Sequence, residues 1–128
     1  MDEPDADVIE LATRLFGLAR DGATAELAAY VAAGVAADLT NQSGDSLVML
    51  AAYHGHAETV KALLDRGADP DQANDRGQTP LAGAVFKGEA DVIEVLVAGG
   101  ADPDGGHPSA RATAAMFGRQ DLVDLLGP

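Results

Sequence analysis

Apolar positions recur along this chain in short blocks, each broken by glycine. Val60, Leu63 and Leu64 in "AETVKALLDRG" fall at i, i+3 and i+4, as do Ile93, Leu96 and Val97 in "ADVIEVLVAGG". That spacing puts each set on one face of a helix. A shorter Ala-rich block precedes each, over 47–54 and 80–87. Ser46 and Thr79 stand just ahead of these blocks. Either side-chain oxygen can accept a free N–H of the first helical turn, and Pro80 suits the first position because it has no N–H to lose. Gly55 and Gly88 end the short helices, and Gly67 and Gly100 close the second ones, where left-handed backbone is tolerated. No such helix is stable alone. Stacked pairs bury one continuous Leu/Val/Ala stripe, with Ala51, Ala52 and Ala84 allowing close approach.

The blocks repeat at one fixed offset in the numbering. It joins Gly44 to Gly77, Gly55 to Gly88, Gly67 to Gly100, and the tetrapeptide 68–71 to 101–104. Gly22 and Gly34 extend the register backwards, predicting a first unit with helices near Val8–Arg20 and Thr24–Ala33. At the other end "ARATAAMFGRQDLVDLL" matches "LAGAVFKGEADVIEVLV" at a smaller offset, Gly88 to Gly118, so the last connecting loop is shorter by three. The reading is a single domain over 1–128, with units at about 9–40, 41–73, 74–105 and 106–128, the outer two acting as caps.

Composition narrows the picture. Apolar residues make up 47% of the 128 but aromatics only 4%, so the core is built from Ala, Leu and Val, which favours close helix packing. With no Cys there is no disulfide framework. The first ten residues lack the basic and apolar regions of a signal peptide, and no stretch approaches a membrane span, so a cytoplasmic protein is expected. A formal net charge of −13 argues against nucleic acid and anionic membrane surfaces as partners. It reads either as solubility alone or as a match for a protein partner with a basic surface.

The repeated unit resembles the ankyrin repeat family. "GQTPLAGA" stands where that family has T-P-L-H-x-A, with Ala82 in place of His, and Met49 takes the same place one unit earlier. "GHAETVKALLDRGADPDQAND" follows the second half of the family pattern almost throughout. The resemblance implies an all-α solenoid of stacked helix-turn-helix units joined by short hairpin-like loops. It also implies that the missing His leaves the loops without their usual tie to the first helices, and that function is protein binding through the concave face. Carried over, that face comprises the loop-tip residues Gln42, Asp45, Asp75, Arg76 and Gln78. It adds the first-helix positions Arg20, Tyr53, His54, Phe86, Lys87, Met116 and Phe117. Tyr53 and Phe86 lie one repeat apart, so stacking aligns them as an apolar ladder that Met116 continues. The ladder either meets a partner or turns inward to fill gaps between alanines.

Other chemistry is thin. His54 and His56 flank Gly55, and a remote alternative is a metal-dependent enzyme using both. The repeat instead makes His56 a turn residue, equivalent to Ala23, Glu89 and Arg119, and His54 a surface residue. Asp69, Asp71, Asp102 and Asp104 lack the spacing of a calcium loop and read as turn residues. No serine has a positioned base around it, and "GGADPDGG" lacks the Lys-Ser/Thr of a phosphate loop. The expectation is a non-enzymatic interaction module without cofactor, serving as adaptor, inhibitor or immunity-type regulator. It is expected to be monomeric, with a homodimer through the same face as the alternative.

Overall fold

The computed structural model describes residues 6–128; the acidic stretch Met1–Asp5 lies outside it. Eight helices follow in order among the described residues: α1 (Ala6–Asp21), α2 (Thr24–Ala32), α3 (Leu47–Tyr53), α4 (Ala57–Asp65), α5 (Pro80–Lys87), α6 (Ala90–Ala98), α7 (Ala110–Met116) and α8 (Gln120–Leu126). They form two layers. The odd-numbered helices stack on one another, the even-numbered helices likewise, and each helix also packs on its partner within the pair. The fold is an all-helical solenoid, as the repeat predicts.

The caps work as the sequence indicates. The Ser46 hydroxyl accepts from Met49 N–H at 3.0 Å and the Thr79 hydroxyl from Ala82 N–H at 3.2 Å. Ser109, considered in the sequence only as a nucleophile, caps α7 by accepting from Ala112 N–H. Gly55 and Gly88 adopt φ of +80° and +71°, the left-handed conformation in which a Cβ is strained. α3 ends at Tyr53, one residue earlier than expected, because His54 has already left helical geometry as the C-cap. α1 runs two residues further back than predicted and one further on.

The buried face of the second helices is offset from the expected stripe. α4 buries Thr59, Val60 and Leu63, and α6 buries Val92, Ile93 and Leu96. Leu64 and Val97 are only partly buried. Leu64 instead packs against the next unit, its Cδ1 so close to Gly99 that a Cβ there would sit 2.7 Å away. Thr59 is accommodated because its hydroxyl hydrogen-bonds that of Thr24 at 2.6 Å, which offsets the cost of burying it.

Hydrogen bonds also join successive units. His56 Nε2 meets the Arg20 carbonyl at 2.6 Å, and its ring covers Gly22 so tightly that a Cβ there would lie 2.5 Å from Nδ1. His56 keeps the turn place expected of it, its N–H donating to the Ala51 carbonyl at 2.9 Å, and its side chain adds a contact to the preceding unit. Glu89 sits over Gly55 in the same way. The loop aspartates do likewise. Asp69 and Asp102 close their own turns on Asp71 and Asp104 N–H, while Asp38 and Asp71 accept from Asp69 and Asp102 N–H of the next unit, both at 2.7 Å.

Candidate interaction groove

A groove of about 570 Å³ runs along one face of α3, α5 and α7. Its floor is small because the sequence puts small residues there: Ala82 and Gly83 from α5, beside Met49 and Leu50 from α3. Its walls are large. Tyr53 ends α3, Phe86 lies in the last turn of α5, and Met116 and Phe117 end and cap α7. These four are 38%, 58%, 69% and 48% exposed, in a chain whose other two aromatics behave differently: Phe16 is buried and Tyr30 packs against the core. The ladder is therefore directed outward, and Phe16 alone among the aromatics is buried in the core.

The walls are fixed by mutual contacts. The Phe86 and Phe117 rings lie 5.7 Å apart, tilted at 55°, so Phe117 takes part in the ladder as well as Met116. Lys87 Nζ stands 4.9 Å from the centre of the Tyr53 ring, a cation–π contact across units worth about 0.5–1 kcal/mol at an exposed site. His54 meets the edge of Tyr53 with rings nearly perpendicular. His54 and His56 are thus engaged on different groups, Tyr53 and the Arg20 carbonyl. Among the described residues no group of three metal-ligating side chains is assembled.

The loop tips close one edge of the groove with Asp45, Arg76 and Gln78. Asn74, a buried polar residue outside the positions that the resemblance assigns to the face, holds them. Its Oδ1 accepts from Arg76 and Gln78 N–H, and its Nδ2 donates to the Asp45 carboxylate and to Gln78 Oε1 at 2.9 Å each. Asn41, one repeat earlier, accepts from Ser43 and Asp45 N–H in the same way. These asparagines tie the loops where the expected His is absent, and their shared repeat position is the signal available in the sequence. Successive tips also interlock, with Asp75 N–H donating to the Ser43 carbonyl at 3.0 Å. Pro108, on the shortened last loop, completes the lining.

Not every carried-over residue reaches this groove. Tyr53, His54, Phe86, Met116, Phe117, Asp45, Arg76 and Gln78 line it; Lys87 borders it through Tyr53. Asp75 is exposed at the interlocked loop tip. Arg20 and Gln42 line a separate groove with Val8, Ile9 and Phe16. α1, at 16 residues against 7 for α3, lines this second groove from Val8 to Arg20, together with the loop at 40–43.

The clear pKa shifts lie away from the groove. The Asp121 carboxyl is held below its ordinary value, chiefly by hydrogen bonds from the Arg119 guanidinium at 2.9 and 3.0 Å. Arg119 is raised by the same contact, and Arg14 is raised by its hydrogen bond to Glu26.

The family pattern described as ankyrin repeats in three copies matches residues 15–107. An ankyrin repeat protein of Pseudomonas aeruginosa is 46% identical over 59 residues, covering 46% of this chain and 34% of that protein. The chain thus spans about a third of the length of that curated relative. The chain belongs to the ankyrin repeat family.

Proposed function

We propose, with that membership as premise, that this chain is a non-enzymatic module that binds a partner protein in the groove along α3, α5 and α7. Ankyrin repeats generally mediate protein–protein interaction. The observation that carries the reading for this chain is the outward ladder of Tyr53, Phe86, Met116 and Phe117. A protein with only five aromatic residues leaves three of them, with a methionine, around one concave surface. Large rings around a small-residue floor are the arrangement expected of anchoring positions, where truncation costs about 2 kcal/mol or more. The finer role proposed is that of an adaptor, or of an inhibitor or immunity-type regulator covering another protein's surface.

Affinity purification from the native organism, with the wild type and a Tyr53→Ala/Phe86→Ala variant as baits, tests this. Both positions are exposed, so the variant is expected to fold and to lose the partner. Undiminished capture by the folded variant would remove the groove from consideration. Light scattering at several concentrations addresses the other occupant of the same face: a rise in mass that the double substitution abolishes would make a second copy the partner.

A further inference from the structure

We propose that the groove takes an acidic–apolar peptide segment, with a few carboxylates beside large apolar side chains, even though the protein is itself strongly acidic. This rests on the groove being the recognition surface. Charge is unevenly placed over the molecule. The chain has 21 Asp and Glu against 8 Lys and Arg, yet α3, α5 and α7, the helices that form the groove, contain no acidic residue. The carboxylates sit on α1, on the even-numbered helices and in the loops.

Most cations are engaged elsewhere. Arg14, Lys61, Arg111 and Arg119 are ion-paired to carboxylates, Arg66 donates to a carbonyl of its own helix, and Arg20 lies on the second groove along α1. Arg76 lines the groove and Lys87 borders it, both exposed. Neither makes an ion pair among the described residues. Lys87 rests on the Tyr53 ring, which orients its charge without neutralising it. Of the loop-tip carboxylates, Asp45 lines the groove, half-buried and accepting from the Asn74 amide, while Asp75 is exposed beside Arg76 and is not part of the lining.

Distance decides between the local and the global charge. At physiological salt fields decay over about 8 Å. A segment lying between Tyr53 and Phe86 therefore responds to Arg76 and Lys87 more than to carboxylates on the outer layer. The overall charge still disfavours a polyacidic partner at long range, so few carboxylates are expected and the ladder supplies the remaining contact. The small floor at Ala82 and Gly83 and a volume of about 570 Å³ leave room for a few side chains, not for a folded domain. The groove thus favours a carboxylate-bearing segment, opposite in charge to the basic partner that the overall composition suggests.

Panning a random-peptide phage library against the immobilised full chain tests the proposal, with binding of recovered peptides then measured by fluorescence anisotropy. The expected pool is enriched in large apolar residues with nearby Asp or Glu and depleted in Lys and Arg. Its members should weaken about tenfold on Arg76→Glu or Lys87→Glu, as like charges come together, and should lose binding to Phe86→Ala. A pool rich in Lys or Arg that still depends on Phe86 would overturn the charge inference and leave the groove as the recognition surface. Peptides binding Phe86→Ala undiminished would overturn both readings. No enrichment over a bare support would overturn the peptide occupant, while capture of a whole partner dependent on Tyr53 and Phe86 would still stand.

Discussion

Gly44 and Gly77 offer a controlled measure of what one unit contributes to the next. They occupy the same repeat position with nearly the same backbone, φ +77° and +75°. Replacing either by Ala strains a left-handed residue by about 1–2 kcal/mol, partly offset by about 0.4–1 kcal/mol of lost unfolded-state freedom. Their surroundings differ. A Cβ at Gly77 meets nothing within 4 Å, whereas one at Gly44 would lie 2.5 Å from the Asp75 carboxylate and 2.9 Å from its backbone nitrogen. The carboxylate can swing away. The nitrogen can retreat only by loosening its hydrogen bond to the Ser43 carbonyl, a loss of about 0.5–1.5 kcal/mol, or by overpacking at about 1–3 kcal/mol. Gly77→Ala is therefore expected to destabilise by about 1 kcal/mol and Gly44→Ala by about 2–4 kcal/mol. Urea unfolding followed by circular dichroism measures both. Equal midpoints for the two variants would refute the claim that the loop tips interlock at Gly44.

Asn74→Ala should destabilise by about 2–3 kcal/mol in the same assay, because two backbone N–H groups and Asp45 lose their partner; a change below about 0.5 kcal/mol would show that the loop does not depend on it. Gly83→Ala should stabilise α5 by about 0.5–1 kcal/mol, since its Cβ would make only ordinary contacts with Met49 and Tyr53 at 3.5–3.7 Å. The same methyl raises the groove floor, so higher stability should accompany weaker partner binding in calorimetry, and unchanged affinity would count against a partner reaching the floor. For Asp121 the folded pKa is depressed, so its contribution is present above the unfolded value near 3.8 and is lost as pH falls through the folded one. Thermal midpoints of Asp121→Asn should lie slightly below wild type at neutral pH and converge with it at low pH; a constant offset would contradict the assignment to the Arg119 contact.

Much of this architecture can be read from the chain because local rules and the repeat agree. Glycines recurring at the repeat spacing, a hydroxyl before each inner helix, and Val/Leu pairs at helical spacing each specify the same units, and residues 53 and 86 align once the offset is known. The relations between units are harder to read. Asp71 bonding Asp102 N–H, or His56 reaching the Arg20 carbonyl, depends on how far one unit rises and rotates against the last, which no local spacing encodes. The division of the face into two grooves is equally hidden: repeat position groups Arg20 and Gln42 with the others, whereas they line the groove along α1. Asn41 and Asn74 are legible in principle, since they share a repeat position. The family pattern instead points to the absent histidine, and so away from the asparagines that brace the loops themselves.

The central claim, that recognition occurs along α3, α5 and α7, is tested most directly by site-specific photo-crosslinking. A benzophenone side chain would replace Phe86 in the groove or Glu94, exposed on α6, before illumination in an extract of the native organism. A discrete adduct with a partner protein is expected from position 86 and none from position 94. An adduct from position 94 alone, or equal labelling from both, would contradict the claim.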